Sequence, residues 1–151
     1  MRLFVALAVF EGCPFAWLNS SAALTAALDR AIEAGSFTRY QTVVQPFAPH
    51  GITACAVVGE SHLTLHSWPE EGRLFVDIAS CSTIESVRRG IEAIRLALPQ
   101  GRLTVLDERV IDPGGAAAPE ESGAGHARVR ATSEGQRGDA LTADRPLVPT
   151  E

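Results

Sequence analysis

The chain contains no lysine: all 13 of its basic residues are arginine. That excludes an enzyme that holds pyridoxal phosphate through a lysine Schiff base. Positive charge is scarce overall. The formal net charge is −5, so the basic face that a phosphate backbone requires is missing and nucleic acid is not an expected partner. Cysteine occurs three times, at Cys13, Cys55 and Cys81, with spacings that make no CxxC pair and no zinc pattern, and no metal site is expected. An odd count without a secretion signal points to a reducing, cytoplasmic setting. No apolar run reaches the length of a membrane span, so no membrane partner is expected either. The N-terminal "MRLFVALAVFEGC" has the order of a lipoprotein signal. Its apolar run, Leu3 to Phe10, is short, however, and Phe10-Glu11-Gly12 is a poor small-residue cleavage site. It reads instead as a buried first strand.

What is present suits one soluble domain with a modest core: 151 residues, 46% hydrophobic and 21% charged. From Asp112 onward Ala, Gly, Pro and charge dominate and no periodicity survives. Residues 112–151 are therefore expected to be a disordered tail, because such a segment cannot bury enough apolar surface to offset its ordering entropy. The folded domain is residues 1–111, small enough that a homo-oligomer interface is expected to add burial. Leu24, Leu28 and Ile32 share a helical face between Asn19 and Ala34, with Ser20 or Ser21 as N-cap and Gly35 as the stop. A second helix follows the stripe Ile84, Val87, Ile91, Ile94 and Leu98, with Ser82 and Glu85 as a capping box. "RLFVALAVF", Phe37 to Phe47, "ITACAVVG", "SHLTLHS", "RLFVDIAS" and "RLTVLDERV" read as strands. The fold class is α+β: a two-layer sandwich, one mainly antiparallel sheet with two helices on one face.

The chemistry-bearing residues concentrate in "GESHLTLHSWPEEG", Gly59 to Gly72. Strand alternation puts His62, Thr64 and His66 on one face, and Ser61 with Leu63 and Leu65 on the other. His62 and His66 lie too far apart along a strand to share a metal; His62 alone reads as a solvent-facing strand residue. Cys81 follows a strand directly before the Ser82 cap, where helix amides and the dipole would favour a thiolate. Cys13 and Cys55 have no such support and read as small buried hydrophobes. A serine hydrolase of the GxSxG type is excluded, since Ser61 stands in "GESHL". A Cys–His peptidase stays open from residue types alone.

The eleven residues "ESHLTLHSWPE", followed by Asp77 and Cys81, resemble the short prokaryotic S-adenosylmethionine decarboxylases. These are proenzymes that make their own pyruvoyl cofactor. The resemblance implies cleavage between Glu60 and Ser61 into a β chain, 1–60, and an α chain, 61–151, with Ser61 converted to the pyruvoyl group. It implies that His66 assists the processing with Thr53 in support, and that Cys81 returns a proton to the product. It also implies that Phe47, Trp68 and Glu70 contact the substrate. The pyruvoyl group would form a Schiff base with a small-molecule amine, S-adenosylmethionine or, as the alternative in this family, a basic amino acid such as arginine or ornithine; a non-catalytic relative that binds a partner or a nucleoside without processing is the reading ranked last. Two αβ units would pair, with the active site at their interface. Phe47 as core and Trp68 as packing for the turn at Pro69 remain competing readings. The sequence departs from the family pattern at five places: the first strand, "RLFVALAVF", lacks the usual histidine, Leu7 or Ala8 stands where an acidic residue is usual, Thr53 for serine, Ser67 for threonine and Ser82 for glycine.

Overall fold

Residues 1–112 are described by the computed structural model. Six strands form one antiparallel sheet: β1 (Leu3–Glu11), β2 (Arg39–Pro46), β3 (Ile52–Val58), β4 (Ser61–Trp68), β5 (Arg73–Ser80) and β6 (Arg102–Ile111). Their order across the sheet is β2-β3-β4-β5-β1-β6. Three helices accompany them: α1 (Phe15–Leu18), α2 (Ser21–Gly35) and α3 (Ile84–Ala97). The two long helices cover one face. The α+β sandwich read from the strand and helix periodicities is the fold observed, with the short α1 as an addition that four residues, FAWL, could not announce.

The alternation of each strand decides which side chains meet the helices. Ala6, Ala8 and Phe10 of β1, Ala54, Ala56 and Val58 of β3, Leu63 and Leu65 of β4, and Leu74, Val76 and Ile78 of β5 are buried against Leu24, Leu28 and Ile32 of α2 and Val87, Ile91 and Ile94 of α3. Each large side chain buried this way contributes about 1.5–3 kcal/mol. Among the described residues the other face carries no helix. Leu7, Val57, Trp68, Phe75 and Val105 stand on it, and Leu7 is 50% exposed. The near-continuous apolar run of β1 thus has two causes: one half packs the core and the other lies on an uncovered sheet face.

Both helix boundaries shift from expectation. The N-cap of α2 is Ser20, whose Oγ accepts from the Ala23 amide, but its C-terminal stop is Ser36, in the left-handed conformation at φ 57°. Gly35 is the last helical residue, and it is glycine for space: a Cβ there would collide with Cε2 of the buried Phe37 ring. The cap of α3 is Thr83, not Ser82; the Thr83 Oγ1 accepts from the Ser86 amide, while Ser82 bonds back to Ser80. Cys81 consequently lies two residues before the cap rather than on the helix terminus. Of the expected tail, only Asp112 is among the described residues, where it pairs with Arg2 at 3.0 Å; the remainder, from residue 113, lies outside them.

Candidate active site

The β3–β4 hairpin turns in two residues, Gly59 and Glu60, between the paired Val58 and Ser61. Tips this short normally put a positive φ inside the turn. Here it falls on Ser61, at 141°, a conformation that costs an L-residue about 1–3 kcal/mol. The tip is gripped on both sides. Glu60 Oε2 accepts from the Thr38 amide at 3.0 Å and Oε1 from the Thr38 hydroxyl at 3.1 Å. On the other side, the Glu60 carbonyl accepts from the Cys81 amide at 2.9 Å. That contact follows from register: Ser61 pairs with Ser80 across β4 and β5, so the residue after β5 meets the residue before β4. Glu60, Ser61 and Cys81 are therefore together, although 20 residues separate Ser61 from Cys81 in the chain.

Strict alternation would have turned Ser61 towards the helices with Leu63. The positive φ turns it elsewhere, and its hydroxyl lies within hydrogen-bond distance of Nδ1 of His62, at 3.1 Å. His62 Nε2 in turn lies 3.1 Å from Asp77 Oδ2 on β5. His62 is thus no plain solvent-facing residue.

His66 stands at the far end of β4, five residues or roughly 16 Å along the strand from Ser61. Its Nδ1 shares a hydrogen bond of 2.5 Å with the Thr53 hydroxyl, its direct cross-strand neighbour. Around it lie Phe47, with ring centroids 6.1 Å apart, and Trp68, at 6.0 Å, which continues to Phe75 at 5.6 Å. Phe47 is 49% exposed and so is not core, and Trp68 faces His66 and Phe75. A cavity of about 250 Å³ joins Phe47, His50, His66, Trp68 and Glu70. Glu70 is held there by His50, Nε2 to Oε2 at 3.2 Å, and the His50 ring meets Phe15 of α1 edge-on at 5.4 Å. A second cavity of about 380 Å³ runs along the uncovered face past Leu7, Thr64, His66, Phe75, Asp77, Val105 and Asp107.

The structure therefore makes two clusters on one sheet face: Glu60, Ser61, His62, Asp77 and Cys81 at one end, and Phe47, Thr53, His66, Trp68 and Glu70 at the other. Sequence reading overlooked His50 and Thr38, took His62 for a solvent-facing strand residue, and gave Asp77 no partner. The His62–Asp77 contact follows from the cross-strand register, whereas His50 reaches Glu70 from the loop between β2 and β3. Cys55 also differs from expectation, being half-buried on the uncovered face with Thr64 Oγ1 3.5 Å from its sulfur. Cys13 is buried, and burial pushes its thiol up to about 11.

Residues 6–108 match the S-adenosylmethionine decarboxylase family. The chain belongs to this family. Among its relatives, the S-adenosylmethionine decarboxylase proenzyme of Prochlorococcus marinus is 33% identical over 86 residues, 57% of this chain and 69% of that protein. The proenzyme of Picrophilus torridus is 31% identical over 97 residues, 64% of this chain and 72% of the relative. The fold is also that of a solved adenosylmethionine decarboxylase from Aquifex aeolicus, with a TM-score of 0.65 at 22% identity over 80% of this chain and 97% of that one.

Four of the departures have a visible structural setting. Of the two candidates for the usual acidic position, Leu7 lies on the uncovered face between Asp77 and Asp107, whereas Ala8 is buried under the helices. Taken at Leu7, the departure from the resemblance is a missing charge on the uncovered face. Thr53 keeps the hydroxyl that reaches His66. Ser67 has its side chain buried towards the helices, where its Oγ accepts from the Ile52 amide at 2.9 Å and donates to the Ile52 carbonyl at 3.2 Å. Ser82 is exposed and bonded to Ser80.

Proposed function

We propose that the chain is a self-processing, pyruvoyl-dependent S-adenosylmethionine decarboxylase. It would release carbon dioxide and the decarboxylated sulfonium amine that serves spermidine synthesis. One observation carries this reading: the peptide bond that would have to react, Glu60–Ser61, sits at a strained residue with its carbonyl already hydrogen-bonded. Ser61 Oγ attacks the Glu60 carbonyl carbon, the charge that develops on the carbonyl oxygen meets the Cys81 amide, and collapse exchanges the amide for an ester. Elimination across the Ser61 Cα–Cβ bond then frees residues 1–60, and water removes the nitrogen as ammonia to leave a pyruvoyl group on the α chain. Strain of about 1–3 kcal/mol at Ser61 is relieved as the chain parts, which favours the forward direction.

The residues present fit such a group. Ser61 pairs with Ser80, the residue before Cys81, whose exposed thiol would return a proton to the product carbon. Once formed, the pyruvoyl group supplies the electron sink for decarboxylation. Phe47 and Trp68 offer aromatic faces for a purine, which stacks on such rings at about 1–3 kcal/mol. Glu70, held by His50, offers acceptor oxygens for a ribose or an amine. Asp77 and Asp107 border the second cavity and suit a cationic substrate.

The separation of Ser61 from His66 supports a homodimer. A second copy laid two-fold on the uncovered sheet face would cover Leu7, Val57, Phe75 and Val105, and would carry its own His66 and Thr53 to the first copy's Ser61. We assign the folded domain to residues 1–111 and the setting to the cytoplasm, where the free thiols Cys13, Cys55 and Cys81 stay reduced. Among the described residues no helix is long and apolar enough to cross a membrane.

The test is direct. The purified chain should run as two bands on a denaturing gel, and mass spectrometry should find the larger fragment blocked as pyruvoyl. It should release labelled carbon dioxide from S-adenosylmethionine and not from arginine or ornithine. A chain that stays intact on prolonged incubation refutes the proposal, and release from a basic amino acid alone would change its substrate.

A further inference from the structure

Before Ser61 can attack Glu60, its hydroxyl must lose a proton, and within the chain His66 does not reach it. We propose that His62 is the base for this first step, oriented by Asp77, so that a Ser61–His62–Asp77 relay drives the acyl shift. His66 is then left to the later elimination. The inference rests on the self-processing reading above and assigns one of its steps.

Three features support it. In a regular strand the side chains of Ser61 and His62 point to opposite faces. They touch here only because Ser61 takes φ 141°, so the backbone strain has a product: an O–H···Nδ1 contact of 3.1 Å. Second, Asp77 Oδ2 at 3.1 Å selects the tautomer. A carboxylate can only accept, so the imidazole proton belongs on Nε2 and Nδ1 keeps its lone pair for the Ser61 hydroxyl. Third, the sheet supplies Asp77 without relying on a loop. His62 pairs with Ala79 across β4 and β5, and Asp77 is the diagonal neighbour two residues along. Three consecutive residues, Glu60, Ser61 and His62, thereby provide electrophile, nucleophile and base.

The step balances without a co-reactant. The Ser61 Oγ proton passes to His62 Nδ1 as the Oγ–C bond forms, and the carbonyl electron pair moves onto the Glu60 oxygen, held by the Cys81 amide. Asp77 stabilises the imidazolium. Collapse breaks the C–N bond, and the departing Ser61 nitrogen takes the proton back from Nδ1, leaving an ester, a free amine and a neutral imidazole.

The experiment follows freshly synthesised full-length chain on denaturing gels, with hydroxylamine, which cleaves esters and spares amides. His62→Ala should slow processing on the order of 10²-fold, and the chain that accumulates should resist hydroxylamine. Added imidazole should restore cleavage. His62→Gln, whose amide can still bridge Ser61 and Asp77 but takes no proton, should show the same block even if the alanine variant folds poorly. Asp77→Asn should accumulate the same resistant chain at an unchanged melting temperature, and Asp77→Glu should recover part of the rate. His66→Ala, by contrast, should accumulate a hydroxylamine-labile ester. Wild-type rates in both His62 variants, or a labile ester in them, would overturn the proposal. A wild-type chain that never cleaves would instead overturn self-processing itself.

Discussion

The grip on Glu60 offers a quantitative test of how the fold prepares its own peptide bond. The two Thr38 contacts, 3.0 and 3.1 Å to the carboxylate oxygens, hold a side chain that takes no covalent part in the acyl shift. Hydrogen bonds to charged groups contribute about 1.5–3 kcal/mol and neutral ones about 0.5–1.5 kcal/mol. At this partly exposed tip about 1 kcal/mol each is the appropriate value. Glu60→Ala removes both, about 2 kcal/mol of positioning, which at 1.36 kcal/mol per tenfold slows processing roughly 30-fold if the loss is felt in the transition state. Glu60→Gln keeps both contacts in neutral form, its carbonyl accepting from the amide and its NH2 donating to the hydroxyl. It should lose about half as much, roughly fivefold. The assay is the precursor half-life of cell-free synthesised chain on denaturing gels. An alanine variant that matches the wild type, or one faster than the glutamine variant, would show that the tip is held by the Cys81 amide alone.

Other outcomes follow from the same geometry. If Ser61 of one copy works with His66 of another, Ser61→Ala and His66→Ala chains, each inert alone, should yield a cleaved His66→Ala chain when co-expressed; no cleavage in the mixture would place both residues in one protomer. Thr53→Ser should process like the wild type and Thr53→Val should be slow, because only the hydroxyl meets His66. Gly35→Ala drives a methyl group into the Phe37 ring and should cost about 1–3 kcal/mol, lowering the melting temperature by roughly 4–8 °C per kcal/mol. The Cys13 thiol is raised by burial from 9.0 to about 11. Above pH 9 the unfolded chain ionises it while the folded chain does not, so stability falls as pH rises from 9 towards 11. Urea unfolding at pH 8 and 10.5 should show a larger loss for the wild type than for Cys13→Ala.

Much of this was legible in order along the chain. Periodicity located every strand and both long helices among the described residues, because burial on one face enforces it, and the motif around Ser61 marked the stretch proposed to react. Local capping was read less well: Ser82 and Gly35 both look like helix ends, but Thr83 and Ser36 take those roles. Hydroxyls one residue apart compete equally for a cap, and the closeness of Phe37 to Gly35 is a packing fact.

By itself the sequence determined the sandwich, the family and the residue types that the chemistry needs. Tertiary structure alone decided their grouping. Register set Cys81 against Glu60, Asp77 against His62 and Thr53 against His66, and it placed His66 a strand's length from Ser61. A β-strand projects neighbours to opposite faces and carries its residues apart at about 3.3 Å each. Closeness in the chain therefore says little about closeness in a site until the hydrogen-bond ladder between strands is known.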